Sequence, residues 1–336
     1  MKREIRVGVI GAGRIGKLHA RNLAYRVPGA KLVSIADVFV EAAQGVASEL
    51  GLTAYQDYRS ILEDKNIEAV FICSSTDTHA QIIEEAAEAG KQIFCEKPIA
   101  LDLARIDRAL ATVERAGVKL QIGFNRRFDP NFKRVRDAVA AGEIGTPHVL
   151  RITSRDPAPP PLAYVKVSGG IFLDMTIHDF DMARYLVGSE VESVYAAGAV
   201  LVDPEIGKAG DIDTTIITLQ FANGVLGTID NSRKAVYGYD QRVEVFGSAG
   251  MVACSNDLPN SAVVSNAGGV HGALPLFFFV ERYTESYIAE SWAFIDCIVN
   301  DTTPPVVGMD GRIPVVMAYA AKKSFEEKRP VRLSEI

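Results

Sequence analysis

The chain has 336 residues, of which 48% are hydrophobic and 23% charged, with a formal net charge of -6. That length supports two domains with substantial cores. The acidic balance argues against a nucleic-acid surface and against docking on an anionic membrane, and no apolar run approaches the roughly 20 residues of a membrane span. The apolar run after the basic N-terminus is short and glycine-broken, so no signal peptide is read. The four cysteines, 73, 95, 254 and 297, include no C-x-x-C and no close pair, and read as buried reduced thiols of a cytoplasmic protein.

In chain order, the first pattern is a strand-like run, Ile5–Ile10, then Gly11-Ala12-Gly13-Arg14-Ile15-Gly16, then helical periodicity to about Tyr25. The glycines fit G-x-G-x-x-G. Gly11 allows the tight turn, Gly13 lets a pyrophosphate approach the backbone, and Gly16 lets the helix pack on the strand. The helix opening at Arg14 and Ile15 offers free N–H groups and a positive dipole end to that pyrophosphate. A second strand, Lys31–Asp37, ends in an acid about 20 residues past the last glycine, the spacing of a ribose-diol contact. A carboxylate at Asp37 repels a 2′-phosphate, and Val38 and Phe39 offer no arginine, so NAD is expected over NADP.

Further strand-like runs follow at Ala69–Cys73, Gln92–Cys95 and Lys119–Ile122, with helices near 40–50, 78–89 and 102–116. Strands apolar on both faces that alternate with helices predict a doubly wound parallel sheet, with ligands along the strand C-termini. Past Cys73, Ser74, Thr76 and His79 are candidate cofactor contacts, with Thr76 or Asp77 the alternative cap of the helix near 78. Past Cys95, Glu96-Lys97-Pro98 puts a reaching cation on a fixed turn. The sheet pattern stops after Ile122, which places a domain boundary at 123.

The region 124–336 reads as an α+β domain with a mostly antiparallel open sheet. Its strands are Pro147–Arg155, Val191–Val200, Thr214–Phe221, Val225–Asn231 and Arg242–Phe246, and Asn223-Gly224 is a hairpin signal. Helices are expected at 130–141, 170–187, 279–299 and 311–326, and Pro157–Pro161 as an extended loop. On the helix 170–187, Asp174, His178 and Asp181 stand at i, i+4 and i+7, on one face. A carboxylate one turn from a histidine holds its tautomer and stabilises its cation, as a general base requires. A solvated polar face or a metal site are the competing readings, and the lack of H-E-x-x-H weighs against the metal. Tyr319 and Lys323 fit Y-x-x-x-K, but far from where that pair belongs, and read as chance.

The glycine fingerprint, Glu96-Lys97-Pro98 and the Asp174/His178/Asp181 segment together resemble the glucose–fructose oxidoreductase/inositol dehydrogenase family over essentially the whole chain. The texts 124–129, 168–174 and 235–242 are similar to its inositol-oxidising branch. The resemblance implies a Rossmann domain followed by an α+β substrate domain, and tetramers built through exposed sheet faces. It implies Lys97, Asp174 and His178 as catalytic, with Asp181, Arg127 and Tyr237 as further substrate contacts and Glu96 and Lys97 near the cofactor. The implied reaction is NAD-dependent oxidation of a ring hydroxyl of myo-inositol to the inosose, with scyllo-inositol, chiro-inositol or glucose as alternative substrates and a non-catalytic NAD(H)-sensing regulator as a remote one. The near balance of Lys97 and Arg127 against Asp174 and Asp181 fits a neutral polyol better than a sugar phosphate.

Overall fold

The computed structural model describes residues 3–336. They form two compact units. One runs to Phe128 and takes back Glu285–Val315; the other comprises Asp129–Thr284 and Val316–Ile336. The sequence reading, with its single break at 123, therefore differs in the return segment. The reason is burial: Phe294, Ile295 and Ile298 of that segment lie in one core with Val7, Val9, Phe71 and Phe94.

The first unit is built on six parallel strands: β1 (Ile5–Ile10), β2 (Ala30–Ala36), β3 (Thr53–Tyr55), β4 (Ala69–Ile72), β5 (Gln92–Glu96) and β6 (Leu120–Gly123). Their order is β3-β2-β1-β4-β5-β6, so chain direction across the sheet reverses between β1 and β4. That reversal opens a crevice at the strand C-termini, where dinucleotides bind in such sheets. β3, at the edge, carries no periodic signal in the sequence, since Thr53 is exposed and Ala54 and Tyr55 are half-buried.

The second unit holds a seven-stranded sheet: β7 (Pro147–Arg155), β8 (Val191–Ala199), β9 (Thr214–Phe221), β10 (Leu226–Ser232), β11 (Asp240–Gly247), β12 (Gly250–Cys254) and β15 (Val331–Arg332). The order is β12-β11-β7-β10-β9-β8-β15, and only the β7–β10 pair is parallel. β9 and β10 form the hairpin expected at Asn223-Gly224, with Gly224 at φ 87°. A separate hairpin, β13 (Val263–Asn266) with β14 (Gly269–Gly272), is exposed along its length.

Strand alternation decides which sheet face is covered. On β9, Thr215, Ile217, Leu219 and Phe221 are buried, while Ile216, Thr218 and Gln220 face out. The helix Thr176–Val187 packs on the inner face, against β7 and β10. The outer face shows Tyr195, Ile216, Leu226, Phe246 and Met251, all exposed. No helix among the described residues is long and apolar enough to cross a membrane. The cysteines are unpaired; Cys73, Cys95 and Cys297 are buried as expected, whereas Cys254 is only half-buried.

Candidate active site

The glycine turn has the geometry its spacing predicts. Gly11 sits at φ 102°, and a Cβ there would lie 2.5 Å from the Cys73 carbonyl. A Cβ on Gly16 would come within 1.9 Å of the Gly11 carbonyl, so the helix Arg14–Tyr25 depends on glycine to cross β1 this closely. At Gly13 a Cβ would meet nothing within 4 Å. Gly13 is also the helix N-cap and supplies no side-chain acceptor to the first N–H groups. An open backbone edge at an uncapped helix start is a cradle for an anionic group, so these residues fit the diphosphate of a dinucleotide.

Asp37 directly follows β2 beside this turn. Its Oδ2 accepts from the Ala12 N–H at 2.6 Å and its Oδ1 from the Phe39 N–H at 2.9 Å. The carboxylate is thereby fixed, and each oxygen keeps a lone pair for a ribose hydroxyl.

The strand ends beyond β4 and β5 correct several expectations. The helix Thr76–Glu88 starts two residues early, its N-cap is Ser75, and neither Thr76 nor Asp77 caps it. Ser74 Oγ meets Thr78 Oγ1 at 2.7 Å. His79 was expected at the cofactor. Instead it is buried, with Nδ1 2.8 Å from the Pro98 carbonyl and Nε2 3.0 Å from the Ser74 carbonyl. Burial pushes its pKa down against the pull of both carbonyls. His79 thus ties together the loops after β4 and β5. Glu96 likewise turns inward: its Oε1 lies 2.8 Å from His19 Nε2, and its carboxyl covers the bare Cα of Gly123. The Lys97–Pro98 peptide is cis. Arg127, near the end of this unit's first segment, donates to Asp310 Oδ1 at 3.0 Å.

In the second unit the expected single helix 170–187 is broken into Ile171–Asp174 and Thr176–Val187, so Asp174 precedes the helix that carries His178 and Asp181. The Thr176 hydroxyl donates to Asn231 Oδ1 at 2.6 Å, with the Ile171 carbonyl 3.2 Å away, and His178 N–H bonds back only three residues, to Met175. Gly169 and Gly170, both at positive φ, set up this joint, and Asp211 accepts the Ile171 N–H in the space a Gly170 Cβ would fill.

Asp174 is held from two directions. Tyr164 donates to Oδ1 at 2.8 Å and Arg233 to Oδ2 at 2.9 Å, while Arg233 also reaches Asp156 at 3.3 Å. Burial and the Asp174 charge push the Tyr164 phenol well up, so it remains a donor. For Arg233 burial opposes the cation, but Asp174 and Asp156 outweigh it and its pKa rises. Asp181 is fully buried, as is Asp179, which accepts from Asn231 Nδ2 at 2.9 Å.

Tyr237 is not gathered with this inner-face group. Its hydroxyl donates to Asp240 at 2.5 Å and accepts from Arg155 at 3.1 Å, and Arg155 pairs with Asp230 on the outer side of β10. With Thr214, Ile216 and Ser232, Tyr237 lines an open depression of about 500 Å³. Lys323 ion-pairs with Glu335 at 3.4 Å, a setting that serves no Tyr319/Lys323 catalytic pair.

Tyr164, Arg233, Asp156 and Asp310 escaped the sequence reading. The signal within reach was Arg233 itself, a cation directly after a strand whose neighbours alternate in and out; Tyr164 sits just past a proline loop with no pattern at all.

Comparison with known proteins shows the family. A family model described as an oxidoreductase family with an NAD-binding Rossmann fold matches residues 5–124. The GFO/IDH/MocA C-terminal domain model matches residues 132–253. The first unit therefore carries an NAD-binding oxidoreductase domain. The chain belongs to the GFO/IDH/MocA family. It is 54% identical to the myo-inositol 2-dehydrogenase of Thermotoga maritima, over 99% of both chains. It is 40% identical to the scyllo-inositol 2-dehydrogenase (NAD(+)) of Bacillus subtilis, over 99% of this chain and 97% of that one. Among solved structures it matches scyllo-inositol dehydrogenase from Lactobacillus casei, with bound NAD(H) and scyllo-inositol, at a TM-score of 0.93 and 32% identity, over 99% of this chain and 100% of that one.

Proposed function

We propose that this protein oxidises a ring hydroxyl of myo-inositol to the corresponding inosose. The 54% identity to the Thermotoga maritima enzyme over 99% of both chains carries the substrate assignment. Bound NAD+ supplies the hydride acceptor. His178 takes the hydroxyl proton. Asp174, itself anchored by Tyr164 and Arg233, orients His178 and stabilises its cation. Lys97 presents positive charge to the developing alkoxide, where preorganised charge lowers the barrier most. Arg127 and Asp181 are assigned to the substrate hydroxyls. Tyr237 is kept as a more peripheral substrate contact, since its hydroxyl is shared with Asp240 and Arg155. On the cofactor, Gly11, Gly13, Arg14 and Ile15 serve the diphosphate, Asp37 the adenosine ribose, and Ser74, Thr76, Glu96 and Lys97 the nicotinamide side. The exposed apolar outer sheet face supports a homo-oligomer, assigned as a tetramer. Four unpaired cysteines support a cytoplasmic enzyme of inositol catabolism.

The second reading is scyllo-inositol as preferred substrate, favoured by the Bacillus subtilis relative at 40% identity. NADH formation from NAD+ with myo-, scyllo- and chiro-inositol and glucose separates the two. The highest kcat/KM is expected with myo-inositol, and Lys97→Ala and His178→Ala should each lose about 100-fold or more in kcat while NAD+ still binds. A higher kcat/KM with another polyol moves the substrate; near wild-type turnover in both variants removes the assigned roles.

A further inference from the structure

A second group of ionisable side chains lies inside the first unit, beneath the Glu96–Lys97–Pro98 turn. His19 comes from the helix Arg14–Tyr25, Glu96 from β5, and Glu290 from the helix Thr284–Asn300 of the return segment. Their nearest ligand atoms all lie within 4.8 Å of one another. The surroundings are apolar: the His19 ring sits 5.1 Å from Phe94, 5.5 Å from Phe71 and 5.7 Å from Tyr287.

Hydrogen-bond direction restricts what this group can be. Ser291 Oγ spends its only proton on the Tyr287 carbonyl at 2.8 Å, so it accepts from His19 Nδ1 at 3.1 Å. Nδ1 therefore carries a hydrogen. Nε2 faces Glu96 Oε1 at 2.8 Å, a distance that requires a proton on that axis. Glu290 Oε1 stands 3.8 Å from the same Nε2, its side chain wholly buried, and neither of its oxygens has a hydrogen-bond partner among the described residues. Two full carboxylates competing for one imidazole in such a shell would be costly. Burial first, and the Glu96 charge second, push the Glu290 carboxyl well above its ordinary range. The Cys73 and Cys95 thiols beside the cluster are pushed well up by the same burial, and the Tyr287 ring also packs on His19. The 2.8 Å contact suits a hydrogen bond, being shorter than the roughly 3.3 Å that separates neighbouring ligands around a tetrahedral ion with bonds near 2.0 Å.

We infer that His19, Glu96 and Glu290 form a buried proton-holding triad in which Glu290 is the neutral acid, leaving His19 to hold Glu96 and so to position Lys97. Glu290 is a positioning residue, and this inference rests on the role proposed above for Lys97. It explains why Gly123 carries no side chain, since a Cβ there would lie 3.1 Å from the Glu96 carboxyl.

The test compares Glu290→Gln with Glu290→Leu in the full-length protein. The Gln variant keeps a neutral polar group and should retain kcat within about threefold. The Leu variant should lose about tenfold or more in kcat with little change in NAD+ affinity measured by fluorescence titration. Infrared spectroscopy should show a buried carboxylic-acid carbonyl band in the wild type at neutral pH that is absent from the Gln variant. That readout and NAD+ binding need no polyol, so they stand apart from the substrate assignment. A Gln variant as impaired as the Leu variant would overturn the inference. So would a missing acid band, or a stoichiometric metal ion in the wild type that the Gln variant loses.

Discussion

Arg233 donates to Asp174 Oδ2 at 2.9 Å from a guanidinium that is almost wholly buried. The pair makes the carboxylate assigned to orient His178 dependent on a cation the sequence pattern did not flag. Arg233→Met should lower stability by about 3 kcal/mol or more, because it leaves Asp174 and Asp156 without their shared partner. Adding Asp174→Asn should recover part of that loss. Urea unfolding of the wild type and the two variants measures it, and an Arg233→Met protein as stable as the wild type would show that the pair does not matter to the fold.

The two later glycines of the fingerprint should fail in different ways. Gly16→Ala places a methyl 1.9 Å from the Gly11 carbonyl, so helix and strand must separate and thermal stability should fall. Gly13→Ala meets nothing within 4 Å in the protein, so the melting temperature should change little. The methyl would instead occupy the diphosphate cradle, and NAD+ affinity should fall about tenfold or more. Melting curves with and without NAD+ separate the two behaviours.

Asp37→Ala removes the acceptor for ribose hydroxyls and also the bonds to the Ala12 and Phe39 N–H groups. The KM for NAD+ should rise about tenfold or more, and the NAD+/NADP+ preference should narrow. Steady-state kinetics with both cofactors decides this; an unchanged preference would move cofactor discrimination elsewhere, to Arg14 first.

Glu290 gives a pH signature in stability. Its folded-state pKa is raised from an ordinary 4.5, so its stabilising contribution is complete below that value and is lost as pH rises toward the folded one. A glutamine does not titrate. Glu290→Gln should therefore gain on the wild type as pH rises, by about 1.4 kcal/mol per unit within that window. Urea midpoints between about pH 5 and pH 7 test the slope. A constant difference would place Glu290 as an ordinary ionised carboxylate.

Much of this was legible in the chain because it rests on local rules. The parallel strands β1, β2, β4, β5 and β6 are short apolar runs, and the Gly16 requirement follows from sterics against Gly11, five residues away. What escaped depends on distant partners. Nothing near His79 says that its two ring nitrogens will meet the carbonyls of Ser74 and Pro98. The break at Met175 follows from Thr176 bonding to Asn231, 55 residues away in sequence. Glu96 reads as a cofactor-side neighbour of Lys97 until His19 and Glu290 are placed beneath it. The return of Glu285–Val315 was hidden for the same reason, since helical periodicity reveals an apolar face but not the core that receives it.

That return has a consequence for synthesis. Phe294, Ile295 and Ile298 complete the core under β1, β4 and β5, and Glu290 and Ser291 complete the polar cluster around His19. As the ribosome releases the chain from its N-terminus, all six strands of the first sheet emerge well before these side chains exist. The nascent nucleotide-binding unit must therefore wait with part of its interior open until the return segment Glu285–Val315 has been made. A gene fragment ending after β6 would encode every glycine and acid of the nucleotide fingerprint and still leave that interior unsealed.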